Sequence, residues 1–453
     1  MKKKHLLLIL FLIFCIHSNQ VFSQTLAFPG AEGFGAYSKG GRGGDVYIVK
    51  NLDDSGAGSL REGIKTAAGA RTIVFAVSGL IKLKSTLKLD KDFITIAGQT
   101  APGDGICLRD AAFVVDASNV IIRYIRVRLG AEAGKEADAI SITGGHNIIM
   151  DHCSASWSVD ECFSCSTAER GKLENVTVQW SIISEALNKS IHSKGPHGFG
   201  ALIRGCYGAK YSYHHNLFAH NVSRNPRPGN YDQNNYKIDP EGLLFDFRNN
   251  VIYNWDGASP GYDSDLESVC RFNLVGNFAK PGPDSDATGL FYRAGCTHFK
   301  AFFDDNSYNG LVPADKWSVV RFGSKWTPSE IEAFMQDKPF ESGNIVTEKS
   351  QDAYKSVLAK AGASYKRDAV DIRLINEVKK GTGSIINDEK EVGGWPEYKT
   401  AEVPADTDKD GMPDKWEKQK KLNHNDPGDR NGDSDNDGFT NLEEYLNGLV
   451  GAW

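Results

Sequence analysis

The chain has 453 residues and a formal net charge of −6 at pH 7. Hydrophobic residues make up 40% of it and 47 residues are glycine. This composition excludes a mainly disordered chain, a fibrous chain and a small disulfide scaffold. Because the balance is acidic and no basic stripe is present, we expect no nucleic-acid partner.

The first 23 residues have the pattern of a signal peptide. Lys2, Lys3 and Lys4 precede an apolar run from Leu6 to Ile16, and small residues follow up to residue 23. The run is too short to span a bilayer and is typical of a cleaved export signal. Cys15 leaves a lipoprotein as an alternative. We therefore expect a secreted protein without a transmembrane segment, with periplasmic or cell-surface retention as alternatives.

Short β-rich runs separated by Gly, Asn and Asp follow one another between residues 72 and 275. Asn119, Asn147 and Asn175 each precede a β-branched run, and they recur every 28 residues. A fixed period of this size indicates a solenoid, and strands without intervening helices indicate a β-helix. We expect the asparagines to stack and to hydrogen-bond along the axis. A β-sandwich with coincidental repeats is the alternative.

Helical patterns lie at the two ends of this region. Ser59 and Glu62 form a capping signal for a helix near the amino terminus, and residues 327–380 show helical periodicity. We expect the first helix to cap one end of the solenoid and protect its core, and the later helices to pack on the outside of the coils. Cys162 and Cys165 have CxxC spacing, which is weak evidence for zinc or redox chemistry without a second pair, so packing in a buried strand is favoured. The predicted β-helix domain spans residues 24–400.

Residues 401–453 form an acidic tail with two copies of a calcium-loop pattern. Alternate aspartates supply hard oxygen ligands, a glycine permits the sharp turn, and a final glutamate can bind through both oxygens. The tail resembles a dockerin or a thrombospondin type-3 repeat, and we expect a small structural or attachment module whose deletion leaves most activity. The predicted ligands are Asp406, Asp408, Asp410, Asp414 and Glu417 in the first loop, and Asp433, Asp435, Asp437, Asn441 and Glu444 in the second.

Several glycine-rich and polar segments, taken in their order along the chain, resemble the polysaccharide lyase family 1 pectate lyases. The resemblance covers roughly residues 26–300. It implies a right-handed parallel β-helix and calcium-dependent β-elimination of polygalacturonate. The matching segments are residues 27–35, 40–44, 58–61, 96–103, 150–152, 212–216 and 224–226.

The resemblance also implies a set of calcium ligands. Asp138 matches the first calcium-binding segment of the family, and Asp160 matches the second. Ser156 stands where the family has a glutamate four residues before that aspartate. Either Glu161 replaces this ligand or calcium arrives mainly with the substrate.

Four basic residues are candidates for contact with an acidic sugar. Lys194 resembles the family lysine that contacts the substrate carboxylate, and Lys189 is its competitor. Arg224 resembles the catalytic arginine that accepts the proton. Arg227 is the nearest substitute for the family's second arginine, because position 229 is a glycine.

These residues together predict a secreted, monomeric pectate lyase that uses Ca²⁺ and acts on pectin or polygalacturonate. One alternative is a β-helical glycoside hydrolase of the polygalacturonase type, which would need a pair of carboxyl groups as acid and base. The other is a β-helix that binds a polysaccharide without cleaving it. That alternative does not need Lys194 and Arg224 together.

Overall fold

The computed structural model describes residues 24–231, 234–263 and 266–451. The predicted signal peptide, residues 1–23, lies outside the described residues. Between Asp45 and Phe322 the chain winds through short strands, and every pairing between two named strands is parallel. The predicted all-β, parallel β-helix is therefore confirmed, and the β-sandwich alternative is wrong.

The first sheet takes one strand from each of ten coils, stacked in chain order. Neighbouring strands pair in a regular register, for example Ile148 with Val176 and Val176 with Tyr211. Its strands are β1 (Asp45–Val49), β2 (Arg71–Phe75), β5 (Ile94–Ala97), β8 (Val120–Arg123), β10 (Ile140–Asp151), β13 (Leu173–Gln179), β16 (Lys210–His214), β19 (Leu243–Arg248), β22 (Cys270–Val275) and β25 (Lys300–Asp304).

The second and third sheets complete each coil. The second sheet consists of β3 (Gly79–Lys82), β6 (Ile106–Arg109), β9 (Ile125–Arg128), β11 (Ser154–Ser156), β14 (Ile182–Ser184), β17 (Leu217–Ala219), β20 (Val251–Tyr253), β23 (Phe278–Lys280) and β26 (Ser307–Tyr308). The third begins with β4 (Leu87–Leu89), β7 (Phe113–Asp116), the first part of β10, β12 (Phe163–Ser166), β15 (Leu202–Arg204) and β18 (Arg227–Gly229), and its later coils contain β21 (Gly261–Tyr262), β24 (Tyr292–Ala294) and β27 (Val320–Phe322).

The core is a continuous column inside the coils. Strand residues alternate in direction, so every second side chain points inward and meets the equivalent side chain of the next coil. Aromatic rings from two sheets meet inside the column: Phe163 of β12 and Tyr213, Phe245 and Phe272 of the first sheet have successive ring centroids 6.0, 5.7 and 5.4 Å apart. All four are fully buried.

Asparagines at the turns are stacked as the sequence predicts. Asn119, Asn147 and Asn175 all have left-handed backbone angles, and the Asn175 amide donates to the Asn147 oxygen at 3.3 Å. A second ladder, which the sequence did not reveal, lies at another corner. There each side-chain amide donates to the next oxygen at 3.0, 3.2 and 2.9 Å, through Asn216, Asn250, Asn277 and Asn306.

The helices between residues 350 and 380 pack outside the coils, as predicted, and the amino-terminal helix adds Leu60 and Ile64 to the interior core. Helix α4 is fixed to the second sheet by a buried ion pair in which Arg128 contacts Asp368 at 2.6 Å and Asp371 at 2.9 Å. Ser59 caps α1 through Glu62 N at 3.2 Å. The helices are α1 (Leu60–Lys65), α2 (Pro328–Phe334), α3 (Ser350–Lys360), α4 (Ala369–Lys380), α5 (Asp414–Lys420) and α6 (Asn441–Gly448).

The acidic tail packs against the first coils of the β-helix. Met412, Leu442 and Leu446 are buried against Val74 and Ala97 of the first coils. Polar contacts add to this packing: Arg42 pairs with Glu443 at 2.9 Å, and Arg123 donates to Asn447 at 2.8 Å.

The seven cysteines in the described part of the chain are free and buried. Cys162 and Cys165 both have no exposed surface, so the prediction that they pack as small apolar residues is confirmed. Among the described residues, no helix is long and apolar enough to cross a membrane.

Candidate active site

The candidate site lies where the coils enter the third sheet. The backbone of Glu161 bridges to Phe199 on the next coil, and Phe199 bridges to Ser223 on the coil after that. On the preceding coil, Ala139 N donates to Glu161 O at 3.1 Å. This register brings Asp138, Glu161 and Arg224 to one edge of the sheet, although they are far apart in sequence.

Three carboxylates converge at this edge. Asp138, Asp160 and Glu161 each place one oxygen within 4.8 Å of the other two. Asp138 accepts from Ser141 Oγ at 2.8 Å and from Glu161 N at 3.2 Å. Desolvation, together with the nearby Asp160 charge, raises the pKa of Asp138 to about 7. A cation placed among these oxygens would stabilise the ionised form of Asp138 and so offset the cost of burying its charge.

The donor set of this cluster fits a hard divalent cation. All candidate ligands are carboxylate oxygens, and Ca²⁺ prefers such ligands. Ser156 takes no part, because it lies in β11 of the second sheet and its hydroxyl is 3.0 Å from that of Ser184. Glu161, by contrast, has a carboxylate oxygen within 4.8 Å of oxygens of both aspartates.

Arg224 lies directly against the acidic cluster. Its Nη1 hydrogen-bonds to Glu161 Oε1, and its guanidinium carbon is 4.1 Å from the centre of the Phe199 ring. The backbone of Arg224 is left-handed, with φ of 59°, and this turn directs the chain into β18. Burial lowers the pKa of Arg224, and the charge of Arg227 adds to that effect.

Arg227 and Tyr262 extend the basic side of the site. Arg227 is largely buried, and its guanidinium carbon lies 5.8 Å from the centre of the Tyr262 ring. The Tyr262 side chain also interacts electrostatically with Arg224. Arg227 thus lies close enough to Arg224 for both arginines to act on the same negative charge of a ligand.

Lys194 lies on the rim of the cluster, whereas Lys189 does not contact it. Lys194 is exposed, its backbone N–H donates to His192 Nδ1 at 3.1 Å, and its charge acts on His197. Lys189 is exposed and its backbone is held by Asn387 at 2.9 Å. The structure therefore favours Lys194 over its competitor.

Two histidines in the segment around Lys194 were missed by the sequence analysis. His197 Nε2 lies 3.1 Å from Asp160 Oδ1, and His192 Nε2 lies 3.2 Å from Glu136 Oε1 and 3.6 Å from Asp160 Oδ2. The two rings stack at 3.7 Å. Burial lowers the pKa of His197. Their position on both sides of a candidate substrate-binding lysine was the signal that could have revealed them.

Comparison with known proteins gives the family. Probable pectate lyase C of Aspergillus flavus is 36% identical over 453 residues, covering 97% of this chain and 97% of that protein. Probable pectate lyase C of Emericella nidulans is 38% identical over 435 residues, covering 94% of each chain. This chain belongs to the pectate lyase family.

A solved structure supports the fold of this pectate lyase. The structure of jun a 1, the major allergen from cedar pollen, matches 73% of this chain and 92% of that chain, with a TM-score of 0.52 and 18% identity. No protein-family model matches the chain. As a member of the pectate lyase family, the chain is a polysaccharide lyase. Because the Aspergillus flavus match covers 97% of the chain, it necessarily includes most of the tail.

The tail of this pectate lyase contains a second acidic centre. Oxygens of Asp406, Asp408 and Asp410 lie within 4.8 Å of one another, and so do those of Asp410, Glu417 and Asp429. Both carboxylate oxygens of Asp408 and of Glu417 are buried without a hydrogen-bond partner. Asp429 was missed by the sequence analysis because it lies outside the loop pattern that contains the other four.

Asp414 does not join this centre, which corrects its prediction as a ligand. Its carboxylate accepts from the backbone N–H and the hydroxyl of Thr407, both at 2.8 Å. Asp414 is the first residue of α5, and its side chain faces Thr407 rather than Glu417. Those two bonds leave its carboxylate outside the acidic centre.

The second loop is only partly assembled. Asp433, Asp435 and Asp437 are exposed and lie together. Asn441 Oδ1 accepts from Ser434 Oγ at 2.8 Å, and Glu444 Oε2 pairs with Lys420 at 3.1 Å. The structure thus gathers the three aspartates, whereas the other two predicted ligands have protein partners.

Proposed function

We propose that this polysaccharide lyase is exported and cleaves α-1,4-linked polygalacturonate by calcium-assisted β-elimination, releasing unsaturated oligogalacturonates. The observation that supports this is the convergence of Asp138, Asp160 and Glu161 beside Arg224. Carboxylates that hold a hard cation and a partly desolvated arginine are the two components that such an elimination needs at one place.

The difficulty of the reaction lies in removing the C5 proton of a galacturonate. That proton is weakly acidic, since the electrons left on C5 lie next to a negative carboxylate. Calcium, when bound, would supply a positive charge at this carboxylate and so lower the cost of the charge that develops. Asp138, Asp160 and Glu161 are the residues that would hold the ion.

The remaining steps belong to the basic side chains. Arg224 accepts the C5 proton, and burial together with the charge of Arg227 lowers the pKa of Arg224, which eases this transfer. The electron pair from the C5–H bond forms the C4–C5 double bond, the C4–O bond breaks, and the leaving oxygen takes a proton from solvent. Lys194 and Arg227 orient the substrate carboxylates by fixed positive charge.

The direct test is incubation with polygalacturonate, with and without a chelator. An eliminating enzyme creates a conjugated unsaturated product that absorbs in the ultraviolet, and we expect this signal to require calcium. A hydrolase would release reducing ends without that absorbance, and a binding protein would release neither. Either of these results would overturn the proposal.

We also propose that residues 1–23 direct export and that the tail binds calcium through Asp406, Asp408, Asp410, Glu417 and Asp429. Buried oxygens without hydrogen-bond partners, found on Asp408, Asp410, Glu417 and Asp429, support the tail site. The contacts between the tail and the first coils favour a structural role over attachment to another protein. We further propose that the enzyme is a monomer, which size-exclusion chromatography with light scattering would test.

A further inference from the structure

The third sheet continues past the candidate active site. Strand β18 is followed by β21, where Tyr262 N donates to Pro226 O at 3.2 Å. Tyr262 then pairs in register with Arg293 of β24, and Arg293 pairs with Arg321 of β27. These three residues therefore lie in one row across three successive coils.

The row faces solvent. In β24, Tyr292 and Ala294 are buried on either side of Arg293, which is exposed. In β27, Val320 is buried and Arg321 is exposed. Because side chains alternate along a strand, both arginines project from the outer surface of the sheet.

Tyr262 links this row to the active site. Its ring centre is 5.8 Å from the guanidinium carbon of Arg227 on one side and 5.3 Å from that of Arg293 on the other. Arg293 Nε also donates to Ser259 Oγ at 3.0 Å, which fixes its position. Positive charge and aromatic surface are thus continuous from Arg224 to Arg293.

The two outer arginines are not neutralised within the described part of the chain. Neither Arg293 nor Arg321 forms an ion pair with a described residue, whereas arginines such as Arg71, Arg128 and Arg248 each pair with an aspartate at 2.6 to 2.8 Å. Exposed arginines without acidic partners are available to an anionic ligand, and their planar guanidinium groups match the geometry of a carboxylate.

We propose that Tyr262, Arg293 and Arg321, here called the arginine strip, form a further binding site for the carboxylated sugars of the polymer. This inference rests on the proposed function. Coils are spaced by about 4.8 Å, so Arg321 lies about 10 Å beyond Tyr262 along the axis. Only a chain that extends several sugars beyond the reacting one reaches it. The strip therefore selects long acidic substrates over short ones.

The experiment compares kcat/KM for trigalacturonate and for a long oligogalacturonate. The variants are Arg293→Ala and Arg321→Ala. Lys300→Ala is the matched control, because Lys300 is an exposed cation on the first sheet. We expect each strip variant to lose about two- to fivefold on the long substrate, the effect of one exposed charge pair. The trimer values and the control should be unchanged, and the loss should shrink at high salt.

Equal losses on both substrate lengths, no loss on the long one, or an equal loss in Lys300→Ala would each overturn the arginine strip. Arg321→Gln, which keeps the polar end but not the charge, should behave as Arg321→Ala does. If the wild-type enzyme forms no unsaturated product, the proposed function fails. The arginine strip is then tested separately by measuring polygalacturonate binding. Arg293→Ala and Arg321→Ala must bind the polymer more weakly than the wild type, and Lys300→Ala must bind it equally well.

Discussion

The acidic centre of the tail predicts that one substitution has opposite effects with and without calcium. Glu417 has no exposed surface and Asp410 is 1% exposed. Their unpartnered oxygens face those of Asp408 and Asp429. Replacing Glu417 by glutamine keeps the shape of the side chain, removes one negative charge and supplies an amide that can donate to the neighbouring carboxylates.

The size of the effect on stability follows from the pKa values of the carboxyl groups when no metal is bound. Burial, and then the neighbouring aspartates, raise the pKa of Asp410 and of Glu417 to about 7. A raised pKa in the folded state means that the contribution to stability is complete below about pH 4 and is lost as the pH rises towards 7. Each pKa unit is worth about 1.4 kcal/mol, and after solvent screening we expect a loss of about 2 kcal/mol per carboxyl group.

The assay is thermal unfolding at pH 8 in chelator and in calcium. In chelator, Glu417→Gln should melt higher than the wild type, since about 2 kcal/mol of repulsion is relieved. In calcium at 1,000 times the dissociation constant, the wild type gains about 4.1 kcal/mol. The variant should lose most of this gain and should therefore melt lower than the wild type. The metal-free wild type should also melt higher at pH 5 than at pH 8.

Asp414→Asn is the matched control, because Asp414 lies in the same segment but bonds to Thr407 instead. It should keep the full calcium response. If Glu417→Gln shifts the melting temperature in the same direction in both solutions, or if Asp414→Asn loses the calcium response equally, the assignment of the centre is wrong.

Further predictions concern the active site and the coils. Arg224→Lys should lower kcat by at least about 100-fold while the circular dichroism spectrum is unchanged, because lysine cannot reproduce the guanidinium contacts with Glu161 and Phe199; near-normal turnover would refute its role. Asp160→Asn should weaken calcium binding measured by calorimetry in the presence of substrate, and an unchanged affinity would remove Asp160 from the ligand set. Asn250→Ala should cost about 1–3 kcal/mol in chemical denaturation, since Asn216 loses its acceptor; a cost near zero would show that the ladder does not stabilise the coils. Deleting residues 401–453 should lower the melting temperature strongly, because removing three buried side chains from the first coils costs about 5 kcal/mol; an unchanged melting temperature would show that the packing contributes nothing.

Features set by local sequence could be predicted. The 28-residue spacing of the turn asparagines gave the coil, and the Asn175–Asn147 bond confirms the stacking. Thr327 and Glu330 form a complete capping box at the start of α2, which lies where the helical pattern begins. Asp138 and Arg224 were identified through short segments, and the regular register of the coils then brought them together.

Features that depend on contacts between distant segments could not be predicted. Tyr262 and Arg293 carry no motif, and only the pairing of β21 with β24 places them beside the basic residues. His192 and His197 gain their relevance from contact with Asp160 on another coil. Asp429 lies between the two calcium-loop patterns, so only the folded path of the tail places it against Asp410 and Glu417.

The docking of the tail has a consequence for biogenesis. Gly438 lies against Thr25, and Glu443 pairs with Arg42, so a segment that is synthesised late covers one that is synthesised early. Until the tail has been synthesised, Val74 and Ala97 lack the tail side chains that cover their outer surface. We therefore expect the earliest coils to complete their packing only after the tail has been synthesised, rather than coil by coil from β1 onwards.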